Sequence, residues 1–217
     1  DNRRQRQMCI RDSPVPPHRS SSPRDLADET LEEMLTRLCH VAEFRDLGGD
    51  PHIQRVSSYA HGLALLCGLD SARAEQVRLA SRFHDVGNVC VPYRILSKPG
   101  RLSEREFTSV KAHTQIGYRM LSGTDSEVLD LAASIALCHH ERFDGTGYPA
   151  GLVGDEIPVE ARLVSICDVF DTLTSRRVYK PAYTPSEALR ILRRERGGMF
   201  DPEFLDLFFS MQDRQVH

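Results

Sequence analysis

From Asp25 onward the apolar residues of this chain recur at intervals of three and four. This periodicity limits the fold more than any other feature of the sequence. In LADETLEEMLTRLCHVAEF, Leu31, Met34, Leu35 and Leu38 fall on one helical face. HIQRVSSYAHGLALLCGL (52–69), SARAEQVRLASRFHD (71–85), SEVLDLAASIALCHH (126–140) and PVEARLVSICDVFDTLTS (158–175) read the same way. Ser103 and Glu106 spell a capping box that opens a helix carrying His113, and TPSE at 184–187 spells another, with Pro185 at the first helical position. Gly197-Gly198 closes that helix, and DPEFLDLFFSM makes the last one. Only NVCVPY (88–93) alternates like a half-buried strand, and there is no internal repeat. The expected fold is all-α.

Composition narrows the function classes. With 217 residues, 40% hydrophobic and 27% charged, the chain suits one globular domain with an attached arm. A formal net charge of −3 argues against a coat for nucleic acid polymers or an anionic membrane, so any phosphate recognition should be local. No apolar run approaches the roughly 20 residues of a spanning helix, and nothing resembles a secretory signal. The six cysteines form no C-x-x-C pair and several lie inside apolar helical patterns, which predicts buried free thiols and a cytoplasmic location. Residues 1–24 mix Arg, Pro and Ser without apolar periodicity and read as a disordered arm. Within that arm, RQRQMCIRDS resembles a translated sequencing-adapter remnant, which would leave the native N-terminus outside this sequence. Residues 25–45 read as a linker or packing helix, and 46–212 as the functional domain.

The nine histidines are unevenly placed. His84-Asp85 ends the third predicted helix, His52 opens the second, and His113 lies mid-helix. His139-His140 ends another, ahead of the turn-rich ERFDGTGYP, while Asp168 lies in the helix over 158–175. A lone histidine on a helix is more often structural, and HD dipeptides are common. Several such residues at helix ends, however, converge on one mouth of a bundle. Imidazoles with carboxylates suit a borderline divalent metal, and a carboxylate such as Asp85 can bridge two ions. Two ions about 4 Å apart activate water and neutralise a phosphodiester during in-line displacement.

The stretches RFHDVGN, SKPGRLSEREF with KAHT, ALCHHERFDGTGYPAGL, EIPVEARLVSICDVFDTLTSRRVYK and GGMFDPEF together resemble the HD-GYP domain, in order, from about Arg37 to Phe209. HD-GYP domains are a subgroup of the HD metal-dependent phosphohydrolases. The resemblance implies a helical bundle with a metal site and a GYP loop, and hydrolysis of cyclic di-GMP to linear pGpG, in some cases onward to GMP. It implies His52, His84, Asp85, His113, His139, His140 and Asp168 as metal ligands, with Asp85 bridging. Tyr148 of the GYP motif would stack on a guanine or bond a phosphate, and Arg177 and Lys180 would hold the phosphates. Asp46 or a metal-bound water is the candidate proton donor to the leaving group.

Two departures bear on activity. Family members with a third metal usually carry a glutamate where this chain has Gly48, so two divalent transition-metal ions, Fe, Mn or similar, are expected rather than three. Asn88 stands where the family has a lysine near the scissile phosphate. It can donate hydrogen bonds but carries no charge, a loss on the order of 2–4 kcal/mol, or about 10²- to 10³-fold in rate. The residue after Val91-Pro92 is Tyr93, where the family often has Asp. The main reading is a cyclic di-GMP phosphodiesterase. Its alternatives are a weak or inactive module binding the dinucleotide or a partner through the GYP loop, and a hydrolase of a related cyclic dinucleotide. A diguanylate cyclase or other protein at the GYP loop, and an upstream receiver or sensor domain, are further expected partners.

Overall fold

The structure is a computed structural model that describes residues 50–175 and 182–215. The expected arm (1–24) and the helix at 25–45 lie outside the described residues, as do Asp46, Gly48, Arg177 and Lys180. Eight α-helices follow in order among the described residues: α1 Asp50–Leu66, α2 Ser71–Ser81, α3 Tyr93–Leu96, α4 Glu104–Leu121, α5 Glu127–Cys138, α6 Val159–Thr174, α7 Pro185–Arg194 and α8 Pro202–Gln215. Single 3₁₀ turns lie at Val86–Cys90 and Gly154–Glu156, and no strand forms among these residues. The all-α expectation holds.

Helix starts follow local chemistry. Asp70 caps α2 by accepting from Arg73 N at 2.8 Å, and Ser126 caps α5 by accepting from Leu129 N at 3.4 Å. Both predicted capping boxes form: Ser103 with Glu106 opens α4, and Thr184 with Glu187 opens α7. Ile53, Val56, Ala60 and Leu63 line the buried stripe of α1, Leu163, Ile166 and Phe170 that of α6, and Leu205 and Phe208 that of α8. Each such large side chain contributes about 1.5–3 kcal/mol on burial. α5 is buried through Ile135 and through Ala132, Ala133 and Ala136, small residues that let it sit closely against α2, α4 and α6. α1 packs on α2 and α6, so the first and sixth helices lie side by side.

The structure corrects three expectations. The helix predicted over 71–85 ends at Ser81, and His84-Asp85 lies in the turn that follows. Gly87 explains why the chain leaves the helix: a Cβ there would stand 2.0 Å from His113 O and 2.8 Å from Gly117 N. The turn is pressed onto the α4 backbone, which only glycine permits. NVCVPY is not a strand. With no neighbouring strand among the described residues, its backbone takes the 3₁₀ turn, and Val91 N donates to Asn88 O at 3.0 Å. Of the cysteines, Cys138 and Cys167 are buried and Cys67 half-buried, but Cys90 is exposed; all four are free. Cys9 and Cys39 lie outside the described residues. No helix among the described residues is long and apolar enough to cross a membrane.

Candidate metal centre

The bundle brings the seven proposed ligands together from five places. α1 supplies His52, the turn after α2 supplies His84 and Asp85, and α4 supplies His113. The end of α5 supplies His139 and His140, and α6 supplies Asp168. They form two groups. Asp85, His113, His139 and His140 present one potential ligand atom each within 4.8 Å of one another, as do His52, His84 and Asp168.

Asp85 lies between the groups. Its Oδ1 is 3.2 Å from His113 Nε2 and 3.6 Å from His139 Nε2, while its Oδ2 is 3.6 Å from His84 Nε2. Burial pushes this carboxyl up, yet His84, His113 and His139 together outweigh burial and hold it well below the usual carboxylate range. The second group closes through Asp168, whose Oδ1 is 3.5 Å from His52 Nε2 and 3.9 Å from His84 Nε2.

Ring orientation is set from behind. His84 Nδ1 faces Ser81 O at 2.8 Å, His113 Nδ1 faces Val110 O at 2.7 Å, and His139 Nδ1 lies 3.1 Å from both Ile135 O and Ala136 O. A carbonyl oxygen only accepts, so each Nδ1 carries the proton and each Nε2 turns a lone pair toward the centre. His52 is held differently: its Nδ1 donates to Asp171 Oδ2 at 2.7 Å. Asp171 is 1% exposed and also accepts from Arg55 and from Ser175 Oγ, the latter at 3.1 Å. Burial pushes the Asp171 carboxyl up, and the bonds from His52 and Arg55 more than reverse it, so it stays ionised.

These atoms fit a cation. His84 Nε2 is fully buried with no hydrogen-bond partner among the described residues, a costly state unless something electron-poor meets the lone pair. Burial lowers the pKa of His84 and lowers that of His140 well below the ordinary imidazole range, favouring the neutral form that binds metals. At His113 burial again opposes charge, but the hydrogen bond and charge of Asp85 prevail and raise its pKa, which marks where positive charge is most welcome.

The loop after His140 is built around Glu141. This carboxylate is 2% exposed and accepts from Ala150 N at 2.7 Å, Gly151 N at 3.0 Å and Leu152 N at 3.2 Å, drawing the loop back on itself. Gly147 allows the close return, since a Cβ there would stand 2.3 Å from Arg142 N. On the other flank Phe143 N and Asp144 N donate to Met199 O and Gly198 O at 3.2 and 2.9 Å, tying the loop to the GGMF segment. Tyr148 N donates to His140 O at 3.2 Å, and the Tyr148 ring lies 4.9 Å from the His140 ring at 31°. Burial, then the charges of Asp85 and Asp168, raise the phenol pKa, so the hydroxyl stays protonated as a donor. Asn88 lies in the 3₁₀ turn beside Asp85, buried, with its Oδ1 unpartnered among the described residues.

Sequence reasoning missed Asp171, Arg55 and Glu141. The first was legible: Asp171 follows Asp168 by one helical turn on the same face. Glu141 follows the histidine pair directly, but nothing in its spacing distinguishes an acceptor for three amides from a solvated acid.

The helical bundle gathers a histidine- and aspartate-lined centre, and the chain matches the HD domain family over residues 24–204. It belongs to that family and carries the motifs of its HD-GYP branch. The chain is 44% identical over 179 residues to the cyclic di-GMP phosphodiesterase response regulator RpfG of Xanthomonas campestris, covering 82% of this chain and 47% of that protein. It is 38% identical to a cyclic di-GMP phosphodiesterase of Thermotoga maritima (85% and 50% covered) and 37% identical to the 3′3′-cGAMP-specific phosphodiesterase 2 of Vibrio cholerae (87% and 36%). The chain thus spans about half or less of the length of these relatives. The fold is shared with Bd1817, an HDGYP protein of Bdellovibrio bacteriovorus, at a TM-score of 0.60 and 23% identity over 75% of this chain and 51% of that one.

Proposed function

We propose that this domain hydrolyses cyclic di-GMP to linear pGpG, using two divalent transition-metal ions such as iron or manganese, in the cytoplasm of a bacterium. The observation that carries this reading is the convergence of the ligand atoms into two groups, with Asp85 of the first also facing His84 of the second. The names of the relatives supply the substrate. His113, His139 and His140 would hold one ion and His52, His84 and Asp168 the other, with Asp85 placed to serve both. Bound, the ions supply the activated water and neutralise the phosphodiester.

The residues around the ions do the remaining work. The water, which gives up one proton to solvent on activation, bonds through its oxygen to phosphorus as the P–O3′ bond breaks, and Asp46 delivers a proton to the leaving oxygen. Tyr148 stacks on a base or donates to a phosphate, and Asn88 offers an amide in place of a cation. Arg177 and Lys180 hold the phosphates, with the guanidinium able to grip two oxygens at once. In this reading residues 46–212 are the catalytic domain and 25–45 the segment that leads into it. The whole set of ligands is retained, which favours turnover over a module that only binds.

Turnover of cyclic di-GMP by metal-stripped protein reloaded with Mn²⁺ or anaerobic Fe²⁺, with products separated by chromatography, tests this. The expected result is metal-dependent pGpG. Tight binding of the dinucleotide without product under either metal would replace the enzyme with a receptor.

A further inference from the structure

The relatives divide between cyclic di-GMP and 3′3′-cGAMP, so what reads the base is the open question at this site. Beyond the proposed ligands, aromatic rings continue outward in a row. The His139 and His140 rings are 4.0 Å apart, His140 to Tyr148 is 4.9 Å, and Tyr148 to Phe107 is 6.2 Å at 80°. Phe107, on α4, is 44% exposed, unusual for a phenylalanine beside a site built of buried groups. One turn along the same helix, Lys111 Nζ lies 4.7 Å from the Phe107 centroid and 5.0 Å from that of Tyr148. No ion pair of this ammonium forms among the described residues. Two ring faces hold the cation in place without consuming its N–H groups, which leaves them for a ligand.

We propose that Phe107 and Lys111 form a guanine subsite, resting on the phosphodiesterase reading above. With the phosphate at the ligand groups, a base extending past Tyr148 meets the exposed Phe107 face. Lys111 then donates to O6 and N7 of its Hoogsteen edge. Guanine presents two acceptors on that edge, whereas adenine presents N7 beside a donating amino group, so a lysine at this point discriminates between them. Lys111 is a specificity-determining residue in this scheme, and Phe107 both stacks on the base and positions the ammonium.

The test compares wild type, Lys111→Met and Phe107→Leu, all metal-loaded, on cyclic di-GMP, 3′3′-cGAMP and cyclic di-AMP. Both kcat/KM and calorimetric Kd are read, with bound metal and melting temperature as checks on the fold. Wild type is expected to prefer guanine, and Lys111→Met to lose about tenfold or more on cyclic di-GMP while changing little on cyclic di-AMP. Phe107→Leu should weaken all three by about tenfold, because stacking is tolerant of base identity. An equal loss on all three substrates in Lys111→Met would make the lysine a phosphate contact and overturn the proposal, as would a wild type with no base preference. Absence of turnover in wild type with any metal would sink the phosphodiesterase reading alone. The Kd values would still decide the subsite, supporting it if Lys111→Met weakens cyclic di-GMP selectively and overturning it if binding is unchanged.

Discussion

His113 and His139 owe their ring orientation to the backbone of the helices that carry them, whereas His52 owes its orientation to one side chain, Asp171. The first arrangement forms whenever α4 and α5 form, and no single substitution behind the rings removes the acceptor. The second depends on a buried carboxylate that also gathers Arg55 and Ser175 across α1 and α6. The rings of His113, His139 and His84 are therefore built into the bundle, and His52 is the ligand whose setting depends on one side chain. The histidine centre differs in the same way from the GYP loop, which has no helix to impose its shape and relies on Glu141.

The substitution that should erase the difference is Asp85→Ala, because Asp85 faces both groups. Loss of the proposed bridging carboxylate should cut turnover of cyclic di-GMP by about 10³-fold or more, measured as initial rates at saturating metal. Asp171→Asn should separate the groups. It keeps the shape but weakens the acceptor behind His52, and partners of this kind typically change metal affinity by about 10- to 100-fold. Metal titration should show one weakened site and one unchanged, with activity restored by excess metal. Equal weakening of both sites would mean that they are a single unit.

Glu141→Gln probes the loop against the centre. An amide set against three backbone donors leaves at least one N–H unsatisfied, a penalty of about 1–3 kcal/mol. KM for cyclic di-GMP should rise about tenfold, while metal content stays at the wild-type level. The smallest effect concerns Glu106, far in chemistry from either ligand group. Lys98 and the Ser103 cap lower its carboxyl from 4.5 to about 2. A depressed folded-state pKa contributes stability that is complete above pH 4.5 and lost as pH falls toward 2. Glu106→Gln should therefore flatten the acid limb of the melting-temperature profile and leave it unaltered at neutral pH.

Much of this was legible in the residues. Periodicity and the two capping boxes located the helices, because caps and apolar stripes are local chemistry. The proposed ligands could be named from motifs, since a metal centre needs particular residue types. What escaped depended on contacts between elements. Arg82 and Phe83 continue the pattern of α2, and only the approach of Gly87 to the α4 backbone shows why the helix ends at Ser81. NVCVPY has the alternation of a strand but no partner, so pairing decided its form. Asp171 and Glu141 work as acceptors for groups 119 and 9–11 residues away, a relation no local pattern encodes.

The most direct measurement is the number of metal ions per chain, by elemental mass spectrometry on protein stripped and reloaded with Mn²⁺, for wild type and Asp85→Ala. Wild type should carry two ions, and the variant should lose metal at both groups. One ion in wild type, or two retained without Asp85, would contradict a centre in which that carboxylate joins two metals.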